Sequence, residues 1–263
     1  MRPMISPLAI TLALSIGPAH AQDTAGLQDR VSRLAPFFAM QLPNGNGPFP
    51  LMIIIAGCSG FHNDRFSASY ARDGRRLLEM GYAVARADFV RAHGLDNSCV
   101  GTQNPSGEVV PDEEVVAYIA ATVEHMRRRS DIDANRVFLF GYSMGGTGIL
   151  NALNETEIAT KILGVLNYFP RCEGVSTWSA RVPMLLMLAE LDNIVPPEHC
   201  KNLVRRVDQP ELIQVVEYPD AHHCFIAEDT PIVTEPKMEP TCAFNPQALA
   251  SSWEDILKFL EPF

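Results

Sequence analysis

Apolar residues cluster in short segments from residue 49 onward, and longer segments with a different apolar spacing separate them. The first cluster, residues 49–56, is almost continuously apolar and is followed by Gly57. An apolar segment of this length without polar alternation is typical of a strand that is buried on both faces, as in a parallel sheet. Further segments with this pattern are residues 82–89, 136–142, 162–169, 182–189 and 212–218.

The intervening segments have apolar residues at every third or fourth position, which predicts amphipathic helices. One apolar stripe covers residues 115–126. Another ends the chain and is preceded by Asn245 and Pro246, which are typical N-cap and first-turn residues. Strands that alternate with helices form right-handed βαβ units. We therefore expect a single three-layer α/β domain over residues 22–263, with helices on both faces of a mostly parallel central sheet.

Two segments interrupt this alternation. Residues 90–111 are rich in glycine and asparagine, and residues 229–240 contain Pro231, Pro236 and Pro240. Both are predicted to be long loops, which in compact domains often serve as lids or binding walls. The alternative for each loop is a solvated surface excursion, and the sequence does not choose between the two.

Residues 1–21 are typical of a signal peptide. Arg2 precedes an apolar run over residues 7–17, and Ala19-His20-Ala21 matches the small-x-small pattern of a cleavage site. The apolar run is short for a membrane span, and no cysteine follows directly that would carry a lipid. The sequence thus predicts an exported protein, periplasmic or secreted, without a membrane anchor.

The charge of the chain argues against nucleic acid as a partner. The net charge is -10, and the one basic run, residues 127–129, falls at the end of a predicted helix, where cations complement the helix dipole. Six cysteines follow the predicted cleavage site: Cys58, Cys99, Cys172, Cys200, Cys224 and Cys242. An even count in an exported protein indicates disulfides, although their positions alone select no pairing. Buried free thiols are the alternative.

Gly141-Tyr142-Ser143-Met144-Gly145 follows an apolar segment and matches the G-x-S-x-G nucleophile elbow. A serine on a sharp turn between a strand and a helix has a strained backbone, and glycines two positions away on either side avoid a clash of Cβ atoms with it. The N-terminus of the following helix would stabilise an oxyanion formed at the serine. The competing phosphate-loop patterns are absent from the chain.

A serine nucleophile needs a base and an acid that orients the base. In α/β-hydrolases these residues follow the serine in the order acid then histidine, in loops at the C-terminal ends of strands. Asp192 follows the apolar segment 182–189 and is the preferred acid, with Glu190 as the second choice. His222 and His223 follow the next segment. Adjacent residues of an extended segment point in opposite directions, so the two histidines are not expected to share one role.

A zinc site made of histidines and cysteines is the competing interpretation of this region. His222 and His223 are adjacent rather than spaced as paired ligands, and cysteines of an exported protein should be oxidised. We therefore expect no metal and no other cofactor.

With these residues in place, the chain resembles the dienelactone hydrolase family of α/β-hydrolases. The resemblance rests on A-G-C-S-G at 56–60, D-I-D-A-N-R-V at 131–137, G-Y-S-M-G-G at 141–146, A-E-L-D at 189–192 and Y-P-D-A-H-H-C-F at 218–225. Members often carry H-G-C-G-G in the first of these segments, where this chain has Ala56 and Ser59. The namesake enzyme uses a cysteine nucleophile on a lactone in the cytosol. Ser143 and the predicted export signal argue against dienelactone as the substrate.

The resemblance also implies individual roles. The catalytic histidine of the family stands in an A-x-H-x-F context, which selects His223 and leaves His222 at the variable position. The backbone N–H groups of Met144 and Cys58 would hold the oxyanion. By similarity to secreted relatives, the implied disulfides are Cys172–Cys200 and Cys224–Cys242, with Cys58–Cys99 as the remaining pair.

Taken together, these features predict an exported serine hydrolase that cleaves small-molecule or polymer-derived carboxylic esters through an acyl-enzyme. Ser143 would be the nucleophile, His223 the base and Asp192 the orienting acid. A peptidase or amidase with the same triad is the alternative within the fold. A non-catalytic binding protein is the alternative outside enzymes, although a binding protein has no need of all three residues.

Overall fold

The computed structural model describes residues 18–100, 104, 106–175 and 180–263. Within these residues, seven strands form one sheet. The strands are β1 (Phe38–Gln41), β2 (Phe49–Ile55), β3 (Ala83–Ala87), β4 (Ile132–Tyr142), β5 (Gly164–Tyr168), β6 (Met184–Ala189) and β7 (Ile213–Tyr218). The α-helices are α1 (Pro18–Leu34), α2 (Asp64–Glu79), α3 (Phe89–Ala92), α4 (Asp112–Arg127), α5 (Met144–Asn154), α6 (Thr156–Ala159), α7 (Pro197–Val204) and α8 (Pro246–Leu260).

The strands lie in the order β1-β3-β2-β4-β5-β6-β7. β1 pairs antiparallel with β3 at one edge, and all other neighbouring strands are parallel. Alternate residues of β2 point to opposite faces: Leu51 and Ile53 pack with α4 and α5, whereas Met52 and Ile54 pack with α2 and α8. The predicted three-layer α/β architecture with a mostly parallel sheet is thus confirmed.

Two local features differ from the sequence-based expectation. The sequence does not predict β1, because only alternate residues of this four-residue edge strand are partly buried. The strand predicted over residues 82–89 is shorter, since β3 ends at Ala87 and α3 begins at Phe89. Asp88 lies between them as an N-cap, and its side chain accepts a hydrogen bond from the Arg91 N–H at 3.2 Å. The predicted loop over residues 90–111 therefore starts only after α3.

The predicted start of the C-terminal helix is confirmed. The Asn245 side chain accepts a hydrogen bond from the Ala248 N–H at 3.0 Å, and Pro246 occupies the first helical position. Residues 229–240 contain no helix and no strand, as predicted for a loop.

The strand order reverses at β2. The chain leaves β2 for β3 on one side and later crosses to β4 on the other side. Segments that follow β2 and β4 diverge at such a switch point and leave a crevice, where open α/β sheets bind ligands. The residues singled out in the sequence follow β2, β4, β6 and β7, and all these parallel strands end at the same edge of the sheet.

None of the described helices is long and apolar enough to cross a membrane. Residues 1–17 of the predicted signal peptide lie outside the described residues, and α1 begins at Pro18, ahead of the predicted cleavage position.

Candidate active site

Ser143 lies at the sharp turn between β4 and α5. Its backbone has φ 49° and ψ -115°, and a positive φ is uncommon for residues other than glycine. α5 begins at Met144, so the unpaired N–H groups of the first helical turn and the positive end of the helix dipole lie next to the serine. The turn has the geometry of a nucleophile elbow.

Two glycines of the elbow allow backbones to approach closely. A Cβ atom on Gly141 would lie 2.6 Å from the Cα of Gly146, and a Cβ atom on Gly145 would collide with the carbonyl oxygen of Ala56. The glycines therefore let α5 pack onto β4 and onto the end of β2. The nearest clashes that they avoid are with these neighbouring backbones.

His223 joins Ser143 to Asp192. The His223 Nε2 atom lies 3.1 Å from Ser143 Oγ, and Nδ1 lies 2.6 Å from Asp192 Oδ2. A carboxylate oxygen only accepts hydrogen bonds, so Nδ1 donates to Asp192 and Nε2 is free to accept from the serine hydroxyl. The histidine is buried and packs against Phe169, with the ring centroids 4.6 Å apart.

The Asp192 carboxylate is held in place by backbone groups. Its Oδ1 atom accepts hydrogen bonds from the N–H groups of Ile194, at 3.0 Å, and Val195, at 2.8 Å. The side chain is buried, so it cannot exchange these partners for water. Oδ2 is thereby left for the contact with His223.

Glu190, the second choice for the acid, lies elsewhere. Its side chain is exposed, and its Oε2 atom accepts a hydrogen bond from the Asp220 N–H at 3.1 Å. Asp220 has a φ of 54°, and this contact supports the turn that follows β7. The structure therefore brings Asp192, and not Glu190, to the histidine.

The two adjacent histidines have different surroundings. His222 is fully buried and its Nε2 atom lies 2.9 Å from the carbonyl oxygen of Glu235. It is not among the residues that line the cleft at Ser143, whereas His223 is. His223 is thus the histidine that contacts the serine, in agreement with the motif context.

The β2 loop, residues 56–60, lies beside the elbow. The N–H of Gly57 donates to the Tyr70 hydroxyl at 3.0 Å, and its carbonyl oxygen accepts from the Gly60 N–H at 3.1 Å. The carbonyl oxygen of Cys58 accepts from the Ser98 N–H at 2.8 Å. The backbone groups on both sides of the Cys58 N–H are therefore hydrogen-bonded, and these bonds orient the peptide group between Gly57 and Cys58.

Buried charge also lies behind the elbow. Asp73 is fully buried and accepts hydrogen bonds from Arg72 Nε at 2.9 Å, Tyr142 Oη at 2.8 Å and Trp253 Nε1 at 3.2 Å. Burial raises the pKa of Asp73, and the three donors oppose that shift. The network holds Tyr142, the residue directly before Ser143.

All six cysteines are paired in the structure: Cys58–Cys99, Cys172–Cys200 and Cys224–Cys242. These are the pairs that the resemblance implies. Two of them lie at the site, because Cys58–Cys99 joins the β2 loop to the 90–111 loop and Cys224 is adjacent to His223. Among the described residues, no group of three or more His, Cys, Asp or Glu side chains is arranged to hold a metal ion.

The cleft at Ser143 has a volume of about 320 Å³. Its wall is mostly apolar, with Phe66, Val109 and Ile194 among the lining residues, and Arg65 and Arg171 supply positive charge. The 90–111 loop contributes several lining residues, whereas the 229–240 loop contributes none. An apolar cleft with a few polar groups is the usual form of a small-molecule site.

Sequence reasoning missed the residues that hold the site together, above all Tyr70 and Ser98. Tyr70 lies on α2 and Ser98 in the 90–111 loop, and neither belongs to a motif. Burial raises the pKa of Tyr70, which keeps its hydroxyl protonated. No spacing in the sequence relates these residues to Gly57 or Cys58, because the contacts form only when α2 and the loop fold against β2.

The fold and the site together define an α/β-hydrolase: a serine elbow, a buried histidine and a buried aspartate at the carboxyl edge of a mostly parallel sheet. The model of the dienelactone hydrolase family matches residues 38–263. The chain therefore belongs to the dienelactone hydrolase family, and it is a hydrolase.

Solved structures of similar fold include hydrolases of this kind. A candidate dienelactone hydrolase from Klebsiella pneumoniae has a TM-score of 0.66 at 16% identity, covering 86% of this chain and 99% of its own. A promiscuous phosphotriesterase that is similar to dienelactone hydrolase, from metagenomic libraries, has a TM-score of 0.62 at 17% identity, covering 85% and 98%. The α/β serine hydrolase XC6422 from Xanthomonas campestris, described as having no lid, has a TM-score of 0.51 at 22% identity, covering 71% and 79%. At these identities the likeness shows the fold alone. Comparison with curated proteins gave no significant match.

Proposed function

We propose that the chain is an exported serine esterase that cleaves carboxylic esters through an acyl-enzyme intermediate. The observation that carries the proposal is the continuous series of contacts from Ser143 Oγ through the His223 ring to Asp192, at 3.1 and 2.6 Å. A serine hydroxyl becomes a nucleophile when an oriented base accepts its proton, and this series provides the base and its orienting acid.

In the first half-reaction, Ser143 Oγ attacks the ester carbonyl carbon and its proton passes to His223 Nε2. The positive imidazolium is stabilised by Asp192, and the carbonyl oxygen becomes an oxyanion. The N–H groups of Met144 and Cys58 stabilise this negative charge by donating hydrogen bonds to the oxyanion. When the oxyanion collapses, the bond to the alcohol oxygen breaks, and His223 gives its proton to the leaving alkoxide.

In the second half-reaction, water replaces the alcohol. His223 Nε2 removes a proton from the water as it attacks the acyl carbon, and the same N–H groups hold the second oxyanion. Collapse then breaks the bond to Ser143 Oγ, which takes the proton back from His223, and the carboxylic acid leaves. Each half-reaction returns the triad to its starting protonation, so no cofactor is needed.

The position of Cys58 supports its part in this proposal. Its neighbours occupy the Gly57 N–H, the Gly57 carbonyl and the Cys58 carbonyl with internal hydrogen bonds. Donors that are already oriented stabilise a developing charge without a cost of reorganisation. Three disulfides agree with an oxidising compartment, and so with export.

Labelling with a fluorophosphonate tests the nucleophile. The folded protein should be labelled at Ser143, and Ser143→Ala should not be labelled. A folded protein that resists labelling at Ser143 would contradict the proposal and would favour a binding protein.

Comparison of p-nitrophenyl esters with the matching anilides tests the reaction class. We expect turnover of short-chain and aromatic esters, with kcat/KM for the anilides lower by about 10³-fold or more, since amides are the less reactive acyl donors. Equal or faster turnover of the anilides would identify a peptidase or amidase instead.

A further inference from the structure

The segment of residues 235–243, called here the strap, contacts both loops that carry the acid and the histidine of the site. The β6 loop, residues 190–196, contains Asp192, and the β7 loop, residues 219–225, contains His223. None of the strap residues before Cys242 lines the cleft. Apart from Cys242, the strap therefore contacts the loops of the site and not the cleft.

Asn193 connects the strap to the β6 loop. Its Nδ2 donates to the carbonyl oxygens of Lys237, at 2.9 Å, and Glu239, at 2.7 Å. Its Oδ1 accepts from the Thr241 N–H at 2.9 Å. One amide side chain thus uses both donors and its acceptor on three backbone groups of the strap. Asn193 is joined to Asp192 by a single peptide bond.

His222 connects the strap to the β7 loop. Its Nε2 lies 2.9 Å from the carbonyl oxygen of Glu235. Because a carbonyl oxygen only accepts, Nε2 carries the proton and donates. His222 is fully buried, and its Nδ1 has no hydrogen-bond partner among the described residues. The bond to Glu235 is therefore the polar contact that this ring makes in the interior, and His222 is bonded directly to His223.

Two further links tie the strap to the β7 loop. The Ala243 N–H donates to the carbonyl oxygen of His223 at 3.0 Å, and Cys242 forms a disulfide with Cys224. The β7 loop is thus held at three consecutive residues, His222, His223 and Cys224. Since Asn193 holds the β6 loop to the same segment, the strap spans the two loops whose side chains meet.

We propose that the strap positions His223 relative to Asp192, with Asn193 and His222 as the positioning residues. This inference rests on the proposed function. The physical reason is that the contact between His223 Nδ1 and Asp192 Oδ2, at 2.6 Å, joins two separate loops. A displacement of about 1 Å in an active site can cost about 100-fold in rate. A brace attached next to each residue limits that displacement.

A double-mutant cycle between Asn193→Ala and Asp192→Asn tests the inference. In the wild type, Asn193→Ala should lower kcat for a p-nitrophenyl ester by about 10- to 100-fold with KM changed less than about 3-fold, and it should lower the rate of Ser143 phosphonylation by a similar factor. In the Asp192→Asn background it should lower the rate of Ser143 phosphonylation by less than about 3-fold, because the acid that it positions no longer acts. Equal losses of the phosphonylation rate in both backgrounds, or an unchanged kcat in the wild-type background, would overturn the inference.

A second pair of variants does not depend on Asn193. His222→Gln keeps a donor near the Nε2 position, whereas His222→Phe keeps the ring size and removes the donor. We expect His222→Gln to retain kcat within about 3-fold and His222→Phe to lose about 10-fold. Identical kcat values for the two variants would contradict a positioning role for the bond to Glu235.

Ile256→Val is the control for stability, since Ile256 is fully buried in α8 and does not line the cleft. It should lower the melting temperature and leave kcat unchanged. A wild-type protein that hydrolyses no ester would refute the proposed function. If the wild type is active and the Asn193→Ala variant is equally active, the positioning role of the strap is refuted and the proposed function is not.

Discussion

The two long loops, residues 90–111 and 229–240, look alike in the sequence but contact the site differently. The 90–111 loop supplies Ser98 and Val109 to the wall of the cleft, and the Cys58–Cys99 disulfide ties it to the β2 loop. The 229–240 loop supplies no lining residue and instead binds Asn193 through two of its carbonyl oxygens. One loop therefore contacts both the cleft and the β2 loop, and the other contacts the loops that carry Asp192 and His223.

The position of each loop in the strand order explains the difference. The 90–111 loop belongs to the connection from β3 to β4, which lie on either side of β2, so the chain passes the carboxyl end of β2. The 229–240 loop follows β7, the edge strand, where the nearest loops are those after β6 and β7. Glycine and proline content shows where a chain is irregular, whereas the strand order decides what the irregular segment touches.

The largest effect is expected at Asp192, the proposed acid. Asp192→Asn should lower kcat by about 10⁴-fold, because an asparagine cannot stabilise the imidazolium or hold the required tautomer. Glu190→Gln is the matched control and should change kcat by less than about 3-fold, since Glu190 is exposed and bonds Asp220. Steady-state kinetics on one ester checks both variants, and comparable losses would reassign the acid.

A smaller but still large effect is expected on the other side of the cleft. The paired variant Cys58→Ser/Cys99→Ser should lower kcat by about 10- to 100-fold. The β2 loop loses its disulfide to the 90–111 loop, so the backbone N–H of residue 58 is less well oriented. The control is Cys172→Ser/Cys200→Ser, whose cysteines do not line the cleft.

The cysteines of the Cys58–Cys99 disulfide are 41 residues apart, and those of Cys172–Cys200 are 28 residues apart. The entropy lost by the unfolded chain gives each disulfide a similar stabilisation of about 4 kcal/mol. Both paired variants should therefore lower the melting temperature by similar amounts. The comparison of kcat thus separates positioning from stability. Equal kcat values in the two paired variants would show that the 90–111 loop does not position the β2 loop.

The third prediction concerns the hydrogen bond from Gly57 to Tyr70. Tyr70→Phe removes the acceptor and leaves a buried N–H unpaired, which should cost about 1–3 kcal/mol of stability and lower kcat by about 10-fold. Tyr168→Phe is the control, because Tyr168 is fully buried and bonds Ser252 away from the cleft. It should lower stability by about 1 kcal/mol and spare kcat. Urea unfolding and ester kinetics on both variants decide whether the Tyr70 bond acts on the β2 loop.

The smallest effect should distinguish the two long loops directly. Val109→Ala shortens an apolar side chain of the cleft wall and should raise KM by about 2- to 10-fold for an ester with a large apolar group. Ile232→Ala makes the same kind of change in the 229–240 loop and should leave KM unchanged. Both side chains are substantially exposed, so neither variant should disturb folding. A raised KM in Ile232→Ala would show that the second loop also contacts substrate.

Much of the fold could be predicted because its signals are local. Apolar segments marked β2 to β7, and Asn245 with Pro246 marked the start of α8. The edge strand β1 could not be predicted, since its four residues bury little apolar surface. The helix α3 was missed because its start is defined by the Asp88 side chain rather than by a periodic pattern.

For the site, the motifs singled out Ser143 with strand and helix on either side, and the order of elements after it drew attention to Asp192 and to the two adjacent histidines. The resemblance to the family then selected His223. The sequence already favoured Asp192 over Glu190, and the structure agrees, because His223 Nδ1 lies 2.6 Å from Asp192 Oδ2. Their surroundings differ completely, since Asp192 is buried against two backbone N–H groups and Glu190 is exposed.

The sequence by itself determined the α/β layering, the serine elbow and the loops in which an acid and a histidine would be found. These features depend on residues that are close together along the chain. The tertiary structure alone decided which residues hold the site in place, among them Tyr70 for the β2 loop and Asn193 for the strap. Those contacts join positions that are distant in sequence, and a hydrogen bond between an isolated side chain and a distant backbone group leaves no periodicity or spacing that a sequence could reveal.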